Sequence, residues 1–146
     1  MVLWRISQYQ DLNGMGGLKA SGRWHYAGQQ IVYLSKSPAS ALLEVCVHTS
    51  ASDVPPSFTL LRIEGPDVEV PSVAESDLSN ASRVQIGETQ EIGTTWLQQG
   101  NSALLPVPSA IVPATRNYLS NPAHPDARAF RIREALNYPF DVRLKL

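Results

Sequence analysis

Helical periodicity occurs in only two stretches of this chain, and almost every other apolar run is short. Residues 38 to about 49 carry one apolar stripe, Ala41, Leu42, Val45 and Cys46, at the spacing of a helix face. Ser37 and Pro38 supply a start signal: the hydroxyl can accept from an orphan N–H, and proline at the first helical position gives up no needed donor. Residues 88–99 place Ile92, Trp96 and Leu97 on one side, and Gly100 suits a left-handed stop. The other apolar segments, residues 2–7, 31–34, 58–63, 68–70, 103–107, 110–112, 130–136 and 140–144, read as strands, two of them split at Pro108-Ser109. Residues 11–17, with Gly14, Gly16 and Gly17, and residues 71–83 read as loops, Ala27-Gly28 as a turn, and 117–126 as irregular. The pattern predicts an α+β domain with more strand than helix.

A length of 146 residues suits one domain, residues 1–146, with a single core. A net charge of -1 argues against broad nucleic-acid binding, though a small basic pocket is compatible with it. No apolar run approaches a membrane span of ~18 residues, and the alternating N-terminus reads as a strand, not a signal peptide. Cys46 is the only cysteine, so an internal disulfide is excluded and a reducing cytoplasm fits. His25, His48 and His124 show no ligand spacing, so no metal site is expected.

Three residues carry the chemistry. Arg23, in Ser21-Gly22-Arg23-Trp24-His25, either clamps a diphosphate through forked hydrogen bonds or stacks on Trp24 at the surface. Tyr33, in an apolar strand, either presents its ring to a flat heterocycle or packs in the core with its hydroxyl at the edge. Glu44 is the only charge between Pro38 and Cys46. A solvent face would carry more, which points to a cleft. A carboxylate there can grip ribose hydroxyls and stabilise positive charge at an anomeric carbon. A dinucleotide such as NAD needs all three functions to lose its nicotinamide. His48, one helical turn from Glu44, can pair with it or simply complement the helix C-terminus. Ser109 lacks the glycine neighbours and following helix of a nucleophile elbow; it reads as a ligand hydrogen-bonding serine or a plain turn serine.

The segments Ser21-Gly22-Arg23-Trp24-His25, Ile31-Val32-Tyr33, Ala39-Ser40-Ala41-Leu42-Leu43-Glu44, Leu105-Pro106-Val107-Pro108-Ser109 and Asn117-Tyr118-Leu119-Ser120-Asn121-Pro122 together resemble the RES domain family. The end, Phe140-Asp141-Val142-Arg143-Leu144, is similar too, so the likeness runs in order over nearly the whole chain. The arginine, glutamate and serine for which that family is named match Arg23, Glu44 and Ser109, and its NAD-site tyrosine matches Tyr33. Where the family often carries asparagine, this chain has His25.

The resemblance implies an ADP-ribosyltransferase-like fold, with mostly antiparallel split sheets around an NAD cleft and a few short helices. It implies a toxin of a bacterial toxin–antitoxin module that cleaves the nicotinamide–ribose bond by hydrolysis or phosphorolysis, depleting NAD and arresting growth. The expected catalytic residues are Glu44, Arg23 and Tyr33, with Arg23, Tyr33 and Ser109 binding NAD as substrate and no further cofactor. The expected partner is an Xre-like DNA-binding antitoxin that blocks the active site, with no direct nucleic-acid or membrane contact by this chain. ADP-ribosylation of a protein target and a non-catalytic antitoxin-binding module are the alternatives. An RNA-cutting toxin is disfavoured by the charge balance and by the lack of a His/Lys pair at motif spacing.

Overall fold

A computed structural model describes residues 1–80 and 85–145. Six strands form one antiparallel sheet: β1 (Val2–Ile6), β2 (Val32–Ser35), β3 (Ser57–Glu64), β4 (Leu104–Pro108), β5 (Arg116–Ser120) and β6 (Arg131–Pro139). Their spatial order is β4-β5-β2-β1-β3-β6. The sheet is nearly divided at its centre. Within the β4-β5-β2 and β1-β3-β6 halves the strands pair over several residues, but β1 and β2 meet at the single register pair Trp4–Ser35. That junction gives the expected split within one continuous hydrogen-bonded sheet.

Alternation along the strands sends two sets of side chains to opposite faces. Leu3, Val32, Leu34, Leu61, Ile63, Leu104 and Tyr118 form one core with Phe130. On the other face Leu105, Val107 and Leu119 pack with Trp24, Trp96 and Leu97. Trp96 and Leu97 come from α3 (Gly87–Gln99), the third helix, which ends at Gly100 in a left-handed conformation as its sequence predicts. The second helix, α2 (Pro38–His48), packs on β1 and β2 beside the junction. Ser37 accepts the backbone N–H of Ser40 at 3.1 Å, the expected start, and Lys145 Nζ donates to the Cys46 carbonyl at 2.6 Å near the helix end. That contact satisfies one of the carbonyls a helix C-terminus leaves open.

Several expectations are corrected. Residues 117–126 do not begin irregularly: β5 spans Arg116–Ser120 and lies inside the sheet, between β4 and β2. Only Tyr118 and Leu119 among its residues are strongly apolar, too short a signal to read. Residues 68–70 are not a strand; Val68 and Val70 lay their side chains on the first core instead of pairing, in a segment bounded by Pro66 and Pro71. Residues 110–112 curl because Ser109 Oγ accepts the N–H groups of both Ile111 and Val112. The chain end forms a 3₁₀ turn, Val142–Lys145, stabilised where Asp141 accepts from the Arg143 backbone and guanidinium. Within the glycine-rich loop the chain makes a single-turn helix, α1 (Gly16–Lys19). Among the described residues no helix is long and apolar enough to cross a membrane.

Candidate active site

A cleft of about 660 Å³ opens where the sheet is divided, within the size range of small-molecule sites. Arg23, Tyr33 and Glu44 all line it, from the loop before β2, from β2 itself and from α2. The register places the side chains of Trp4, Ser35, Asn117 and Val107 on one face, because each is directly opposite its neighbour across a strand pair. Tyr33, two residues before Ser35, shares that face.

The loop that presents Arg23 is held by α3 through its backbone. Thr89 Oγ1 donates to the Arg23 carbonyl, Gln90 Nε2 to the Gly22 carbonyl at 3.0 Å, and Thr94 Oγ1 accepts the Tyr26 N–H at 3.0 Å. Gly93 brings the helix against Trp24 so closely that a Cβ there would overlap the Trp24 carbonyl. Arg23 is thus carried on a loop held by α3, and the residue borders both the cleft and an adjoining cavity of about 440 Å³.

Tyr33 is exposed at its ring and anchored at its hydroxyl. The residue is 36% accessible, yet its oxygen accepts the Trp24 N–H at 3.1 Å and lies 2.7 Å from His25 Nδ1. His25 is buried, 3% exposed, and its Nε2 lies 3.3 Å from the Gly17 carbonyl. A carbonyl only accepts, so Nε2 carries the hydrogen and Nδ1 takes the Tyr33 O–H. Burial raises the phenol to about 12, opposed by the Trp24 hydrogen bond and the nearby Arg23 charge. Tyr33 therefore keeps its proton at physiological pH and presents a ring face, not a base. Gly22 leaves no room for a side chain, since a Cβ would run into the Tyr33 hydroxyl.

Glu44 is half-buried. Its Oε1 accepts from Asn117 Nδ2 at 2.8 Å, and its Oε2 lies 3.8 Å from Nε2 of His48, which is 72% exposed. The one-turn spacing thus does bring His48 beside Glu44, at a distance too long for a hydrogen bond. Ser109, 5% exposed, lies in the adjoining cavity with Arg23 rather than in the main cleft. Its oxygen accepts the N–H groups of Ile111 and Val112 within the 109–115 turn, bonds that do not use the hydroxyl hydrogen.

Two cleft residues had no role in the sequence reading. Arg5 of β1 reaches the cleft and donates to the Asp11 carbonyl at 3.2 Å; burial lowers its pKa, with Asp11 opposing. Asn117 contacts Glu44 directly. Arg5 was visible only as a polar residue of an alternating strand, and Asn117 lay in a segment that reads as irregular.

The cleft thus brings together an arginine on a loop held by α3, a partly exposed tyrosine and a half-buried carboxylate. The profile of the RES domain matches residues 2–141, and the chain belongs to the RES domain family. It is 47% identical over 135 residues to Toxin Res of Pseudomonas putida, covering 91% of this chain and 92% of that protein. To the Prs ADP-ribosylating toxin of Sphingobium sp. it is 38% identical, over 97% of this chain and 94% of that one. Its fold matches a chain in the crystal structure of the M. tuberculosis MbcT–MbcA toxin–antitoxin complex, with a TM-score of 0.76 at 16% identity, covering 94% of this chain and 84% of that chain.

Proposed function

We propose that this chain is the toxin of a toxin–antitoxin pair and cleaves the nicotinamide–ribose bond of NAD. What carries the reading is the convergence of Arg23, Tyr33 and Glu44 on one cleft in a chain of this family. Arg23 clamps diphosphate oxygens. The Tyr33 ring packs on nicotinamide and fixes its angle to the ribose. Glu44 hydrogen-bonds ribose hydroxyls and stabilises the oxocarbenium charge that develops as the bond breaks. Ser109 donates to the ribose or a phosphate.

The electron pair of the breaking C1′–N bond passes to the pyridinium nitrogen, so nicotinamide leaves neutral and needs no acid. Water or phosphate then bonds to C1′; a water acceptor releases its proton to solvent. Transfer to a protein side chain is the second reading, favoured by the name of the Sphingobium relative.

The partner in this reading is an Xre-like DNA-binding antitoxin that closes the cleft, placing a carboxylate where the diphosphate sits against Arg23. Its support is the fold shared with a toxin–antitoxin complex and the toxin names of the relatives. The chain acts in the cytoplasm, where free NAD is found. Expression of the chain alone is expected to stop growth as cellular NAD falls, and co-expression of the neighbouring gene product to restore both. Constant NAD and normal growth at high expression would overturn the toxin reading.

A further inference from the structure

Among the described residues, Asn117 Oδ1 is the one buried side-chain polar atom with no hydrogen-bond partner. The reason lies at the other end of the same amide. Asn117 Nδ2 donates to Glu44 Oε1 at 2.8 Å. Turning the amide over would set its oxygen against a carboxylate, two acceptors with no hydrogen between them. Glu44 therefore dictates the orientation, and the orphaned oxygen is its consequence. A buried acceptor left without a donor lowers the stability of the fold. Packing alone does not call for that cost: Asn117 stands opposite Ser35 and Val107 in the sheet, and an aliphatic residue beside Val107 would avoid it.

We propose that Asn117 is a positioning residue that fixes the Glu44 carboxylate by one oxygen. Oε1 is committed to β5, the strand paired with the one that carries Tyr33. Oε2 is left as the oxygen for substrate. The bond ties α2 to the sheet floor, so that carboxylate and tyrosine ring are held to one frame. This assignment rests on the NAD-cleaving role of Glu44 for its consequence, but its geometry is testable without it.

The experiment combines side-chain amide NMR with kinetics. In Glu44→Ala the Asn117 side-chain amide resonances, followed by ¹H–¹⁵N NMR, are expected to move from their positions in the unaltered protein, because the carboxylate that accepts from Nδ2 is gone. Resonances that stay in place overturn the proposal, whatever the substrate is. N117D keeps the shape of the side chain but puts an acceptor where the donor stood. At about pH 8 its nicotinamide release is expected to fall at least about tenfold, with the loss on kcat. A folded N117D protein with kcat near that of the unaltered protein overturns it. Absence of nicotinamide release from the unaltered protein would defeat the proposed reaction and leave the amide resonances to decide the role of Asn117.

Discussion

Alanine at position 44 is expected to slow nicotinamide release by about 10² to 10³, or about 3–4 kcal/mol of transition-state stabilisation, the scale of losing one preorganised electrostatic group. The loss should fall on kcat, because charge at the anomeric carbon exists only in the transition state. Folding should survive. Glu44 is half-buried on α2, and alanine is the best helix former. The variant does leave Asn117 Nδ2 without its acceptor, at a cost of about 1–3 kcal/mol. A thermal melt recorded with the rate separates that cost from catalysis. A folded Glu44→Ala protein with near-normal kcat would remove Glu44 from the reaction.

Arg23→Lys is expected to raise the KM for NAD about 10- to 100-fold, from losing hydrogen bonds to a charged group worth about 1.5–3 kcal/mol. Lysine keeps the charge but not the planar fork that matches two phosphate oxygens. The substitution isolates the head group, because the loop is held by backbone contacts to Thr89, Gln90 and Thr94 that no side chain at 23 provides. Unchanged kinetics would leave Arg23 with a structural role alone.

Local signals in this sequence were dependable where one residue decides the local geometry. Ser37-Pro38 began α2 and Gly100 ended α3 as their chemistry requires. They failed where the deciding contacts are distant. β5 is held by β2 and β4 on either side, so Asn117 and Ser120 tolerate polarity that reads as a loop. Residues 68–70 carry a strand-like pattern, yet only their side chains find the sheet. The candidate site divides the same way. Glu44 stood out as a lone charge in an apolar helix. Its partner Asn117 lies 73 residues away and cannot be paired with it from sequence. His25 was likewise unreadable, since its role depends on the Gly17 carbonyl and the Tyr33 hydroxyl meeting on either side of one ring. Ser109 reads from sequence both as a ligand contact and as a turn serine; the structure shows the turn directly.

The most direct test is to incubate the purified chain with NAD and measure free nicotinamide, with and without inorganic phosphate and with and without a protein acceptor. The account predicts nicotinamide release by the unaltered protein and its collapse in Glu44→Ala, with ADP-ribose or its 1″-phosphate as the companion product. NAD recovered intact under every condition, from a folded protein, would contradict it.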